Sequence, residues 1–241
     1  AMRHAGTHVG LLVLASAIGV SCMQANNGHS HEHKHDHGHD HGHQHEGGHK
    51  HHVKRSPEEW AKKLDGPDRD KYQKPELVIK AMQIEPGMVV ADLGAGTGYF
   101  LKYLSAAVGD SGRVIALDVE QDLVDYMAKR SKEEGLNNVV AKKCGFSDSG
   151  LESGSADRIL IVNTWHHIQK RVEYTKNLAP KLKPNGALYV VDFDKNSKVG
   201  PPSSEKLESS KIASELEAGG MKTEVLSESL PEQYIIKATA P

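Results

Sequence analysis

Cysteine is scarce in this 241-residue chain: Cys22 and Cys144 stand far apart and in different surroundings. Two such residues exclude a disulfide framework and a CxxC zinc site. A charge of one sign is missing as well, since 30 basic and 32 acidic side chains leave a formal net charge of −2. Without the clustered basic face of a nucleic-acid binder, DNA and RNA are not expected partners. The apolar run Val9–Val20 falls short of the roughly 20 residues a spanning helix needs. No internal repeat is visible. With 37% hydrophobic and 26% charged residues, this length suits one sizeable folded domain with an appendage, and hardly two full domains.

The appendage is at the amino end. A short polar start with Arg3, the apolar run to Val20 and then Ser21-Cys22 have the layout of a secretory signal. The cysteine after a small residue resembles a bacterial lipoprotein signal, with Cys22 as the lipidated first residue of the mature chain. The expectation for residues 1–22 is therefore export to the bacterial envelope, lipid-anchored or periplasmic, against a cytoplasmic alternative in which this run is a buried helix or follows from a mis-assigned start. Residues 29–52 hold twelve of the sixteen histidines, mostly at every second position. A segment so poor in apolar residues has no burial to offset its ordering entropy, so 23–55 is expected to be a disordered linker. Imidazole is a good ligand for Zn, Ni and Cu. His31, His33, His35, His37, His39, His41, His43 and His45 are accordingly candidate metal ligands, the alternatives being a solvated spacer or a tether that charges below about pH 6.5.

From 56 onward the pattern changes. Ser56-Pro57-Glu58-Glu59 is a helix start, with Ser as N-cap and Pro at the first position. It predicts a helix over 57–64, broken by Gly66-Pro67-Asp68, and Pro75 opens another to about Met82. Strands are then expected at 88–92, 113–117, 138–142, 157–162 and 186–192, with helices at 98–108, 121–134 and 168–182. Such alternation implies a parallel sheet with helices on both faces. A helix over 204–218 stops at Gly219-Gly220, and two β-rich runs, 222–227 and 233–239, suggest an antiparallel close.

The chemistry centres on Asp92-Leu93-Gly94-Ala95-Gly96-Thr97-Gly98, a buried strand running into a glycine turn and a helix. Glycines let a backbone approach a ligand closely, and the helix start offers free N–H groups. A dinucleotide site wants G-x-G-x-x-G, but here Tyr99 stands three after Gly96, and there is no Walker lysine. Asp92 would repel a pyrophosphate while favouring a sulfonium cofactor with an ammonium group. Asp118 ends the next strand twenty residues after Gly98, where a carboxylate can accept both hydroxyls of a ribose.

In D-x-G-x-G-x-G, the acid ending strand two and the turn Leu182-Lys183-Pro184-Asn185-Gly186, the chain resembles class I S-adenosylmethionine-dependent methyltransferases over about 70–241. The resemblance implies a Rossmann-like α/β fold for 56–241: a mostly parallel seven-stranded sheet, helices on both faces and an antiparallel last strand. It implies S-adenosyl-L-methionine as cofactor and a small-molecule methyl acceptor. Its cofactor contacts would be Asp92, Gly94, Ala95, Gly96, Gly98, Asp118, Val119, Gly145, Phe146 and Asn163. Phe146 stands where an aromatic ring can stack on adenine, although Cys144-Gly145-Phe146-Ser147-Asp148 departs from the family's Gly-Asp pair. Cys144 reads as a small core residue.

In open parallel sheets the residues after strand four face the reacting group. Here these are Asn163-Thr164-Trp165-His166-His167. A histidine there can take the proton that an acceptor atom loses as it attacks the methyl carbon. His166 is the candidate for substrate and His167 for structure, similar to a histidine pair in small-molecule methyltransferases of the ubiquinone and sterol-like groups. Alignment alone can supply much of the catalysis, so a base is not obligatory. Tyr72-Gln73 and Asp192 are further candidates at the rim, and Val199-Gly200-Pro201-Pro202 can shape the mouth. The competing reading is an envelope metal-binding protein whose Rossmann-like domain senses or binds a nucleotide-like ligand.

Overall fold

The computed structural model describes residues 55–228 and 230–241. The expected signal over 1–22, all but the last residue of the expected linker 23–55, and the candidate metal ligands from His31 to His45 lie outside the described residues.

Ser56 and Glu59 cap the first helix reciprocally: the Glu59 N–H donates to Ser56 Oγ at 3.3 Å and the Ser56 N–H to Glu59 Oε2 at 2.8 Å. Helix α1 (Pro57–Leu64) follows. The expected break at Gly66-Pro67-Asp68 instead begins a second helix, α2 (Pro67–Gln73). Proline at the first helical position has a suitable φ and gives up only an N–H that has no partner there. Lys74, at φ 45°, ends α2 and precedes α3 (Pro75–Met82).

Then come β1 (Val89–Leu93), α4 (Leu101–Val108), β2 (Arg113–Asp118), α5 (Gln121–Glu133), β3 (Val139–Lys143), β4 (Ala156–Val162), α6 (Arg171–Leu178), β5 (Leu182–Phe193), α7 (Ser209–Ala218), β6 (Lys222–Val225) and β7 (Gln233–Thr239). They form a seven-stranded sheet in the order β3-β2-β1-β4-β5-β7-β6. Neighbours are parallel except β7, which runs antiparallel to both β5 and β6. The expected α/β class, the seven strands and the antiparallel last strand are all present.

Alternate residues of each strand serve opposite faces. Ala91, Leu93, Ile159, Ile161, Leu188 and Val190 pack with Leu178 of α6 and with Ile212 and Leu216 of α7. Val90, Val114, Leu160, Val162 and Val191 pack with Met82 of α3, Leu104 of α4 and Met127 of α5 on the other side. The sheet is thus covered on both faces, and its order reverses between β1 and β4. That switch point opens a crevice at the carboxyl ends of these two strands.

Three helices differ in extent from expectation. The helix expected from 98 begins at Leu101, because Gly98 sits at φ +82°, outside the right-handed helical region. The helix expected over 168–182 is confined to Arg171–Leu178, between tight turns at Trp165–His167 and Ala179–Lys181. Left-handed Lys170 (φ 48°) stands before it, and Pro180 would clash with the helix turn behind it. The helix expected from 204 begins at Ser209. The Lys183-Pro184-Asn185-Gly186 stretch lies within the span of β5, and a register shift against Ala156/Arg158 accommodates it.

Candidate active site

The loop after β1 is shaped by three glycines at positive φ: Gly94 at +75°, Gly96 at +59° and Gly98 at +82°. A Cβ on Gly94 would lie 2.5 Å from the Thr164 methyl, so this backbone needs glycine for space as well as for φ. The loop is tied to β2 by the N–H groups of Gly94 and Ala95, which donate to the Leu117 carbonyl at 2.8 and 3.0 Å. Gly96 donates its N–H to Asp118 Oδ2 at 2.9 Å, and Glu120 donates to Asp118 Oδ1 at 3.0 Å. Asp118 therefore braces the glycine loop from behind. It is wholly buried, and burial pushes its carboxyl up to about 6 despite these bonds.

Asp92 is a different kind of acid. It is 3% exposed, and no hydrogen bond from the described residues reaches its carboxylate. Burial pushes it up to about 7; the Arg69 guanidinium opposes that rise and Asp118 adds to it. A buried carboxylate that accepts no hydrogen bond is poised for a further cation. With the open glycine backbone, it is the donor set that the methionine end of S-adenosylmethionine would need, so the residues present fit that group.

Asp92, Gly94, Ala95, Gly96 and Asn163 line one cavity of about 30 Å³, together with Leu64, Arg69 and Tyr72 of the first two helices. It has room for about two waters. Of the other residues expected to hold cofactor, Gly98 closes the loop with its N–H on the Ala95 carbonyl, Asp118 stands behind the loop, and Val119 packs partly buried on the core. Gly145, whose N–H donates to the Asp148 carbonyl at 2.9 Å, and Phe146, 45% exposed, lie outside the cavity. Cys144 is buried in the core, and burial pushes its thiol up to about 12.

Arg69 had no place in the sequence reading. Its guanidinium lies 3.8 Å from the Tyr99 ring centroid and donates to the Leu64 carbonyl and to Gln73 Oε1, both at 3.3 Å. Asp65 and Arg130 were missed as well. Asp65 accepts from Arg130 Nη1 at 2.6 Å and from Thr97 Oγ1 at 2.8 Å, and Arg130 donates to the Thr97 carbonyl at 3.0 Å. The Tyr99 hydroxyl donates to Asp70. These bonds clasp α1 and α2 onto the glycine loop. Part of the signal was present: Arg69 and Gln73 are spaced by four, one face of a helix that begins at Pro67, and Asp65 ends the helix before it.

The loop after β4 is anchored from the opposite face of the sheet. Glu215 of α7 accepts from Trp165 Nε1 at 3.2 Å and from both Arg171 Nε and Nη2 at 2.7 and 3.0 Å. This holds Trp165 with no exposure and fixes the two histidines after it. His166 Nδ1 lies 2.9 and 3.0 Å from the two oxygens of Asp192, whose Oδ1 also accepts the Phe193 N–H at 2.8 Å. A carboxylate only accepts, so Nδ1 carries a proton, and in the neutral ring it is Nε2 that has the lone pair. Nε2 is buried and has no hydrogen-bond partner among the described residues. The His167 ring centroid is 4.1 Å away. Burial pulls His167 down to about 4, with the neighbouring His166 adding to the effect, so it stays neutral. Tyr72 lies 6.1 Å from Phe193, centroid to centroid, at the end of the Asp192 strand. Among the described residues, no cluster of His, Cys, Asp or Glu could hold a metal, and no helix is long and apolar enough to cross a membrane.

A family model described as "Methyltransferase domain" matches residues 84–231. A solved SAM-dependent methyltransferase from Aquifex aeolicus is 31% identical with a TM-score of 0.71, covering 77% of this chain and 98% of its own. The ubiquinone/menaquinone biosynthesis C-methyltransferase UbiE of Hydrogenovibrio crunogenus is 29% identical over 118 residues, 48% of this chain and 46% of that protein. An uncharacterized 37.1 kDa protein in a Streptomyces fradiae transposon is 30% identical over 121 residues, 34% of its length. The chain spans less than half the length of these two curated relatives. On the family match and the Aquifex structure, together with the glycine loop and its two acids, the chain belongs to the S-adenosylmethionine-dependent methyltransferases.

Proposed function

We propose that the protein methylates a small-molecule acceptor whose nucleophilic atom gives up its proton to Nε2 of His166. The observation that supports this reading is the His166 and Asp192 pair. A histidine held through Nδ1 by a carboxylate presents its other nitrogen as a base in a fixed direction, and positioned bases of this kind contribute on the order of 10²- to 10⁴-fold. When bound, S-adenosylmethionine supplies an electrophilic methyl group on a sulfonium centre. Asp92 would hold the cationic part of that molecule, and Asp118 keeps the glycine loop in shape from behind through the Gly96 N–H. Arg69 lies in the same cavity as the one guanidinium lining it and would face the carboxylate of the methionine end. The cavity of about 30 Å³ is far below the roughly 300 Å³ at which small-ligand pockets begin. In this reading α1 and α2 would move outward to admit the cofactor and return over it, which would exclude water from the transfer.

The test is calorimetric titration of the full chain with S-adenosylmethionine and S-adenosylhomocysteine beside Asp92→Ala, followed by a radiolabelled-methyl screen of small acceptors bearing O–H, N–H, S–H or acidic C–H groups. Micromolar binding lost in the variant, and label transfer that His166→Gln abolishes, is the expected result. Absence of binding by the folded chain would overturn the reading.

A further inference from the structure

Three side-chain amides from three distant parts of the chain close on one another in a ring. Gln73 Nε2 donates to Gln233 Oε1 at 2.7 Å, Gln233 Nε2 to Asn163 Oδ1 at 2.5 Å, and Asn163 Nδ2 to Gln73 Oε1 at 3.4 Å. Gln73 is the last residue of α2, Asn163 follows β4 and Gln233 opens β7. Both glutamines are buried, at 0% and 5% exposure. A ring of amides can run in either sense, because each side chain offers an oxygen on one side and an NH2 on the other. Arg69 selects the sense. It can only donate, and its Nε lies 3.3 Å from Gln73 Oε1, so that atom is the oxygen and the other two amides follow.

The ring lies between the two halves of the site. On one side, Arg69 and Asn163 share the cavity with Asp92. On the other, Gln233 pairs with Phe193 in the β5 and β7 ladder, one residue from the Asp192 that holds His166. Asn163 sits at φ 54°, a left-handed backbone that persists where the surroundings over-determine it, and His166 follows three residues later. Only one member of the ring, Gln73, belongs to the amino-terminal segment that covers the cavity.

We propose that Gln73 and Gln233 are positioning residues: the amide ring closes only when α2 is seated, and in closing fixes Asn163 and the turn carrying His166, so that covering the cofactor and aligning the base are one event. This rests on the methyltransferase reading. Packing alone would not need the amides, since leucine fills nearly the same space as glutamine. The donor and acceptor sense of the ring is what would transmit the closure.

The experiment uses the full chain, with S-adenosylhomocysteine as probe, and follows two signals. One is amide hydrogen exchange over residues 57–74. The other is the His166 ring resonance, identified by its loss in His166→Gln. In the unaltered chain the probe should slow exchange over 57–74 and shift or sharpen the His166 signal together. In Gln233→Leu the probe should still bind within about threefold and still protect 57–74, but the His166 response should fall by more than half. Gln233→Glu keeps size and polarity and can accept from Gln73, yet cannot donate to Asn163 Oδ1. It should lose the His166 response too, and it stands in for the leucine variant if that one does not fold. A His166 response intact in either folded variant overturns the ring. Failure of the probe to bind the unaltered chain sinks the methyltransferase reading and the ring with it.

Discussion

The Nδ1 atom of His166 lies 2.9 Å from Asp192, although 26 residues separate the two in the chain. They meet because β4 and β5 are parallel neighbours, with Val162 beside Val191, so the residues just past one strand face the end of the next. Removing the acid is expected to do nearly as much harm as removing the base. An asparagine at 192 can donate to Nδ1, which would put the proton on Nε2 and leave no lone pair toward the acceptor. Methyl transfer should fall on the order of 10²- to 10⁴-fold in both His166→Gln and Asp192→Asn. S-adenosylhomocysteine affinity, read by calorimetry, should stay within about threefold in both. Full turnover in Asp192→Asn would remove the dyad from the mechanism.

Asp92 makes cofactor affinity depend on pH. Burial pushes its carboxyl up to about 7, and the form that attracts a cation is the ionised one. Below about pH 7 the ligand must first expel a proton, so affinity should fall toward tenfold per pH unit, and above about pH 8 it should level off. The sign for stability is opposite. With its folded value raised above its unfolded one, Asp92 makes the cofactor-free fold less stable as pH rises from about 4 through about 7. The melting-temperature gain on adding S-adenosylhomocysteine should thus be larger at pH 8 than at pH 6, and Asp92→Asn should flatten that difference. An unchanged pH slope in the asparagine variant would assign the titration to another group.

Gly94 and Gly135 both have positive φ, +75° and +70°, but only Gly94 has a neighbour in the way. An alanine at 135 meets nothing within 4 Å and should show backbone strain alone, about 1 kcal/mol. At 94 the new methyl meets Thr164, whose Oγ1 is already held by the Val162 carbonyl at 2.9 Å. Gly94→Ala should lower stability by roughly 2–4 kcal/mol, strain and overpacking together, and abolish binding of S-adenosylhomocysteine. Denaturant unfolding of the two variants makes the comparison; equal losses would mean that the loop shifts freely and that the contact has no consequence.

The sheet, its seven strands and the glycine loop were legible because each rests on a local rule: alternation of apolar runs, an acid at a strand end, glycine where φ is positive. Asp92, Asp118 and His166 could be named from that pattern alone. What was not legible depends on pairing at a distance. Asp192 was visible as an acid at a strand end, but its role as the partner of His166 follows from the strand order. Arg69 was hidden by one misread signal, Pro67 taken as a breaker when it starts a helix. Gln233 carries no sequence mark at all, since a glutamine opening a strand has no local reason to be buried. Its partners come from α2 and from the turn after β4.

Asp65 joins the first two helices to the glycine loop, and its removal should loosen the cover without unfolding the sheet. Its carboxylate accepts from Arg130 at 2.6 Å and from Thr97 at 2.8 Å, one of them a charge-assisted bond. Asp65→Ala leaves the Arg130 guanidinium and the Thr97 hydroxyl without it, a loss of about 1.5 kcal/mol in the seated state. That corresponds to about a tenfold faster release of S-adenosylhomocysteine, measured by stopped flow. Amide exchange over 57–73 should quicken by a similar factor while the strands β1, β4 and β5 exchange as before, because their hydrogen bonds do not involve this segment. Faster exchange over 57–73 with an unchanged release rate would show that α1 and α2 do not enclose the cofactor.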